Sequence, residues 1–469
     1  MPPGTRTDPL PAVPGRRTTP SWARPDPLDE LAERLDDFIA AAVHPDEIAA
    51  LLESDGLSDD QIRERYGLKD SFALAEELYE RVERRHPEPA GPAHDPWRTG
   101  LLACLLRGVV FALPGLGYVL GAPFLTGPRD DFDLPAGTVP LLVGALVGWT
   151  WNQGLAHRAY SWLGLGDRRS ARRALLLGAP SGALLGTLLP LAVAGTAHPS
   201  ALAFTAGQSI YLAAATVLLV LGRERALLAA LLPMAAGAAV TPVHPLPDTA
   251  RLTLLLGSLA VVALLGLREV ALPKGRGELR DQPRRTRSRQ TTTGPPLPGS
   301  LPYAVFGLAT GTLVLHAALE DALAAVALTL SMGPAEWLLY RFRSASLTGL
   351  RSSGTPRAFR HTTARTLTEC LAAYLTALLA LTLPTGITGM HLAGLLLLGV
   401  VLWTGLLLQS FGAVLGTTTI CCVAALAQTV ALVTHTGSPH WIALTVHASA
   451  GVAQTVLVCA LLGRVTAHR

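Results

Sequence analysis

From Gly100 onward the chain repeats apolar runs of roughly 17 to 25 residues, each long enough at about 1.5 Å per residue to cross a hydrocarbon core about 30 Å thick. The runs fall near 100–123, 138–157, 174–195, 200–221, 226–242, 252–271, 301–319, 322–340, 366–384, 390–411, 413–434 and 441–463. Half of the 469 residues are hydrophobic and only 15% are charged, a balance hard to hide from water in a soluble chain of this size. The expected fold class is all-α: a polytopic membrane protein of about twelve transmembrane helices in two six-helix lobes, preceded by a small soluble helical module.

The module is set off by charge. Residues 26–84 hold 18 of the 34 acidic residues but 6 of the 38 basic ones, so the segment is strongly negative while the rest of the chain is strongly positive. Residues 1–27, rich in Pro, Arg and Thr, read as a disordered tail without the apolar stretch of a signal peptide. Residues 28–90 read as an acidic cytoplasmic module of short amphipathic helices. It opens with Leu28, Leu31, Leu35, Phe38 and Ile39 at helical spacing and continues with a helix between a Ser58 cap and a Gly67 stop. A helix-turn-helix likeness there does not extend to DNA. Glu76, Glu77, Glu80 and Glu83 would repel phosphates, so nucleic acid is not an expected partner, whereas docking of a cytoplasmic protein is.

Arginine placement orients the remainder. Arg168, Arg169, Arg172 and Arg173 follow span two, and Arg223 and Arg225 follow span four. Arg341, Arg343, Arg351, Arg357, Arg360 and Arg365 follow span eight, and Arg464 and Arg469 end the chain. A central loop, 273–300 between halves 98–272 and 301–469, adds Lys274, Arg276 and five further arginines, with Arg268 just before it. The alternate loops offer only Arg129, beside Asp130, Asp131 and Asp133, and Arg251. Because cytoplasmic loops carry the excess of Lys and Arg, both termini are expected in the cytoplasm, with the two halves as parallel repeats. Abundant Ala, Leu, Gly, Arg and Pro with little Lys suggests a GC-rich bacterium and hence its plasma membrane.

Between spans two and three, Gly164, Gly166, Asp167 and Ala171 form a GxGDxxxAxR string. This resembles the multidrug/oligosaccharidyl-lipid/polysaccharide (MOP) exporter superfamily of MATE drug exporters and polysaccharide and lipid II flippases, in which a similar Gly-Asp stretch links helices two and three on the cytoplasmic side. The resemblance implies polysaccharide or lipid-linked flippase-like export by alternating access. The corresponding place in the second half, after span eight, is a basic turn holding Arg341, Arg343 and Arg357. The major facilitator superfamily is a rival six-plus-six family whose corresponding loop resembles GxxxDRxGRR, but DRRSARR here has the wrong spacing for it and lacks the inner Gly.

Ionisable groups inside spans are costly and each is a functional candidate. Arg107 lies about 10 Å into span one and either snorkels to the interface or lines a cavity. Asn152, Gln153, His157 and Arg158 cluster on the second half of span two, as a cavity wall or as interhelical hydrogen bonds with an emerging headgroup contact. Arg107, Asn152, His157, Arg158, Arg341 and Arg343 are the candidate substrate-binding set, its four arginines suited to a pyrophosphate or acidic headgroup. Glu336 and Glu369 are candidates for proton coupling or for interfacial ion pairs. His316, Glu320 and Asp321 sit at the turn between spans seven and eight, either as a titrating cluster or as ordinary loop solvation. Gln208, Gln409, Gln428, His447 and Gln454 read as interhelical glue, and the five cysteines as small core hydrophobes.

No phosphate-binding loop, zinc-protease helix, serine elbow or dinucleotide-binding glycine string appears, so no enzyme, cofactor or metal site is expected. The functional expectation is a flippase-like exporter of a saccharide or lipid-linked substrate, with membrane lipid as partner. The alternatives are a scaffold that recruits a cytoplasmic protein through the acidic module and a proton-coupled efflux pump for small molecules.

Overall fold

The structure is a computed structural model that describes residues 26–83, 85, 100–125, 137–271, 295–353 and 355–462. The first 25 residues, Arg129 with its aspartates, the central loop from 272 to 294, and Arg464 and Arg469 lie outside these. The chain divides into two units, Met1–His94 and Asp95–Arg469.

The first unit is five short helices: α1 (Pro27–Arg34), α2 (Asp36–Ala41), α3 (Pro45–Ser54), α4 (Asp59–Tyr66) and α5 (Ser71–Arg81). Ile39, Ile48, Leu52, Ile62, Leu74 and Leu78 are fully buried and form its core. The expected continuous opening helix breaks at Leu35, and Phe38 is left largely exposed while Ile39 turns inward. Ser58 and Gln61 form a reciprocal capping box at the start of α4, and Gly67, at φ 72°, ends that helix in the left-handed conformation that glycine adopts without strain. Arg81 binds Glu77 at 3.1 Å, Asp29 at 2.6 Å and Asp26 at 3.3 Å. Hydrogen bonding to Glu77, with the two aspartates, holds its guanidinium above its usual range.

The second unit begins with α6 (Leu101–Ala112) and α7 (Leu116–Gly121), continues through α8 (Thr138–Gly164), α9 (Arg168–Ala194), α10 (Pro199–Val220), α11 (Glu224–Val240) and α12 (Asp248–Ala271), and completes a second set with α13 (Leu301–Glu320), α14 (Ala322–Ser352), α15 (Pro356–Thr382), α16 (Gly389–Ser410), α17 (Val414–Val433) and α18 (Pro439–Leu462). Among the described residues, ten spans are long and apolar enough to cross a membrane, α6 and α7 counting together. The remaining two are α8, made more polar by Asn152, Gln153, His157 and Arg158, and α11, which has 17 residues. Span one is interrupted by 3-10 turns at Leu113–Gly115 and Ala122–Phe124, where Pro114 and Pro123 cannot continue the α-helical ladder.

Several helices run past their apolar windows at the arginine-rich end. α8 continues to Gly164, α9 starts at Arg168, and α14 extends to Ser352. Arg341 and Arg343 therefore stand on a helix rather than in the expected turn. Apolar length marks what lipid requires and not where a helix stops: α14 runs on through Pro334 and Gly349 and ends only shortly before Thr355 and Pro356, which cap and open α15.

The two halves repeat one packing scheme. α8 packs on α9 as α14 packs on α15; α10 packs on α12 as α16 packs on α18; α11 packs on α12 as α17 packs on α18. Between halves the pairing is reciprocal: α6 of the first lies on α14 of the second, and α13 of the second lies on α8 of the first. These are the two seams between the lobes. Inside the lobes, small residues and shared polar atoms bring helices together. Ser209 donates to the Gly186 carbonyl at 2.9 Å, and Trp151 to the Gly178 carbonyl at 2.7 Å. Gln454, fully buried, accepts from Thr404 at 2.6 Å and donates toward Thr417 at 3.1 Å, tying α16, α17 and α18. Cys104, Cys370 and Cys421 are buried, but Cys422 is half-buried and Cys459 exposed, because the outer faces of these helices are apolar too.

Candidate functional site: two seams between the lobes

On the first seam, Gly108 of α6 meets Gly333 of α14. A Cβ placed on Gly108 would lie 2.8 Å from the Gly333 nitrogen, and one on Gly333 would lie 2.8 Å from the Cys104 carbonyl oxygen. Only glycine on both sides lets these backbones approach so closely. One residue before Gly108, Arg107 binds Glu336 of the opposite lobe through Nη1, and binds Glu224, at the start of α11 in its own lobe, through Nη2 at 2.5 Å. Tyr340, one turn beyond Glu336, donates to the same Glu336 oxygen at 3.1 Å. The side chains of Arg107, Glu336 and Glu224 are each less than a third exposed. One guanidinium thus holds two carboxylates, and the contact with Glu336 crosses from lobe to lobe near the arginine-rich end. The buried Arg107 Nε has no partner.

On the second seam, a Cβ on Gly154 of α8 would lie 3.1 Å from the Ala304 Cβ of α13, and Gly307 and Gly311 receive Gln153 and Trp149. His157 bonds to Ser300 Oγ through Nδ1 at 3.1 Å and stacks on Tyr303, with ring centroids 3.6 Å apart and planes at 17°. Arg158 donates to the Pro295 carbonyl at 3.4 Å.

The seams share a register. A constant step along the chain carries Cys104, Arg107 and Gly108 onto Ser300, Tyr303 and Ala304, and another carries Gly154 and His157 onto Gly333 and Glu336. The ion pair Arg107–Glu336 of one seam therefore occupies the place of the stacked pair Tyr303–His157 of the other.

The other candidate residues lie around this frame. Asn152 donates to the Gly148 carbonyl within its own helix at 2.8 Å, while its buried Oδ1 has no partner. The Arg341 guanidinium lies over Trp337, and that of Arg343 over Phe411 at 5.1 Å. Glu369 is exposed and pairs with Arg365 one turn earlier at 2.8 Å, a surface geometry. Gly164 ends α8, Gly166 takes φ 76°, and Asp167 caps α9 by accepting from the Ser170 amide at 2.9 Å and the Ser170 hydroxyl at 2.6 Å. Those bonds hold the Asp167 carboxyl below the usual carboxylate range. Ala171 is fully buried on the next turn. The Gly-Asp string builds a tight hairpin that fixes α8 against α9.

Glu224, Tyr340, Ser300 and Tyr303 were not among the sequence candidates. Glu224 carried a signal, as an acid set between Arg223 and Arg225 where an apolar run begins. The aromatic and hydroxyl residues carried none.

No family model and no curated protein matches the chain. Two solved structures resemble it in part. A MATE crystal structure in complex with Br-NRF is 12% identical, with a TM-score of 0.43, over 77% of this chain and 96% of that chain. A proline-to-alanine mutant of MATE is 14% identical, with a TM-score of 0.40, over 80% of this chain and 97% of that one.

Proposed function

We propose that the chain is a transporter working by alternating access, in which the two six-helix lobes rock about the two seams and Arg107–Glu336 bolts them together at the arginine-rich end. What supports this most is that the ion pair crosses between lobes, at the same register as the polar pair His157–Tyr303 on the other seam. Simple packing would fill such positions with apolar groups, because a buried ion pair adds little stability over well-packed hydrophobes. A contact that must break and re-form has a use for charge.

The arginine-rich end is taken as cytoplasmic by the positive-inside rule, and the bacterial plasma membrane as the location. The cargo is an anionic amphiphile of the lipid-linked saccharide kind, which fits the MOP-like hairpin of Gly164, Gly166, Asp167 and Ala171. When the bolt opens, Arg107 leaves Glu336 and, with Arg158, Arg341 and Arg343, becomes available to a phosphate-bearing headgroup.

Cys104 is a native reporter of the bolt. It is buried, and its carbonyl touches Gly333 across the seam. In a protein with the other four cysteines changed to Ala, Glu336→Gln should speed maleimide labelling of Cys104 at least several-fold. An unchanged rate would remove the gate. Export of a lipid-linked saccharide in vesicles should fall when Arg158 and Arg343 are both changed to Gln. Full export by that double variant rules out the anionic cargo, and drug sensitivity on Glu336→Gln instead supports small-molecule efflux.

A further inference from the structure

At the end opposite the arginines, the second lobe holds a polar recess that neither seam uses. Glu320 ends α13, His391 lies in the first turn of α16, and His440 lies in the first turn of α18. Glu320 Oε2 is 3.5 Å from both His391 Nε2 and His440 Nδ1. Below them a small pocket is lined by Glu320, His391, Gln428, His440 and His447 among apolar neighbours. Two of its walls are unusual. Gln428 is 6% exposed and its Oε1 has no hydrogen-bond partner, and His447 is 3% exposed and its Nε2 has none. Buried polar atoms are almost always paired, so two orphans in one recess point to a missing partner.

The chemistry of that partner follows from the lone pairs. His447 Nδ1 lies 3.0 Å from the Gly394 carbonyl oxygen, which can only accept, so Nδ1 carries a proton, and in its neutral form the ring offers a bare lone pair at Nε2. Gln428 Oε1 and the Glu320 carboxylate also accept. Three acceptors on one recess match a group with three N–H donors and a positive charge. The recess has about 20 Å³ of room, enough for one water-sized group. Glu320 and Gln428 also line an adjoining chamber of about 240 Å³, where Ala431, Leu432, Pro439 and Ile442 form an apolar side that a short alkyl group fits and His316, His435 and Thr436 a polar one. Among the described residues, no three His, Cys, Asp or Glu side chains are grouped to hold a metal ion.

We propose that this recess is a binding site for a primary ammonium group, with –NH3+ held by Glu320, Gln428 Oε1 and His447 Nε2 and its alkyl part in the adjoining chamber. The site lies inside one lobe and does not depend on alternating access. A soluble alkylamine and the ethanolamine headgroup of a lipid carry the same group.

Calorimetry on the full chain in detergent tests this, with n-butylammonium as probe and tetramethylammonium and butanol as controls. Butylammonium should bind at least tenfold more tightly than tetramethylammonium, which has the charge but no N–H, and than butanol, which has no charge. Glu320→Gln should weaken butylammonium at least tenfold. Gln428→Met should weaken it several-fold while leaving the melting temperature of the free protein the same or higher, since it removes an orphaned acceptor. A purely structural Gln428 would instead lower the melting temperature. Equal binding of the three probes, no binding at millimolar butylammonium as expected of a recess holding water only, or unchanged binding in both variants overturns the proposal. In nanodiscs, weaker butylammonium binding in phosphatidylethanolamine than in phosphatidylcholine assigns the site to the lipid headgroup. Equal binding in the two assigns it to a soluble amine.

Discussion

The seams α6–α14 and α8–α13 place small residues face to face at the same register, yet one is closed by charge and the other by stacked rings. Backbone proximity is common to both because each lobe repeats one packing scheme. The side chains that follow differ, and in the proposed alternating access the two seams need not release together. An ion pair in a half-buried setting is strongly directional, and losing one partner leaves the other uncompensated. A stacked His–Tyr pair has a shallower energy surface and can slide. Under the proposed rocking motion, the charged seam is thus suited to hold a defined closed state, and the aromatic seam to act as a bearing.

The largest expected contrast comes from removing the cation. Arg107→Met leaves Glu224 and Glu336 facing each other without a counter-charge and should destabilise the protein by about 3 kcal/mol. His157→Leu, the matching change at the other seam, should cost about 1 kcal/mol through the lost Ser300 bond and ring contact. Chemical unfolding in detergent measures both, and equal losses would erase the distinction between the seams. A smaller difference is expected from Gly333→Val against Gly154→Val. The first presses a side chain onto the α6 backbone and should cost about 2 to 3 kcal/mol, while the second meets the Ala304 methyl at 3.1 Å with the nearest backbone atom, the Ser300 carbonyl oxygen, at an ordinary 3.6 Å, and should cost about 1 kcal/mol.

The smallest effect separates the hairpins that carry the seam helices. Asp167 caps α9 and Thr355 caps α15, and removing either side chain should cost about 1 kcal/mol. Only the first is expected to depend on pH. The folded Asp167 carboxyl is held below its unfolded value, so its contribution is complete above the ordinary carboxylate range and is lost as pH falls through the lowered value. Stability curves of Asp167→Ala and wild type should converge in acid, whereas those of Thr355→Ala and wild type stay parallel.

Much of the frame was legible in sequence because it rests on local rules. Apolar length gave the helices, Ser58 and Gly67 marked the ends of α4, and Gly166 and Asp167 marked the turn into α9. The bolt was legible only in halves. Arg107 and Glu336 each stood out as a charge inside an apolar run, but nothing local joins residues that far apart in the chain. Phe38 shows the reverse failure: its spacing fits the buried face of a longer helix, but the break at Leu35 rotates it outward. Arg341 and Arg343 fell outside the expected helix because hydropathy measures lipid contact and not helix length.

The most direct test of two lobes rocking about a charged bolt is the distance between spin labels at Arg169, on the first turn of α9, and His361, near the start of α15, which are exposed positions on opposite lobes at the arginine-rich end. Pulsed dipolar spectroscopy in nanodiscs should give a short population in the otherwise unaltered protein and a shift to a longer one, by at least several ångströms, in Glu336→Gln. One distance, unchanged by that substitution, would contradict the gate.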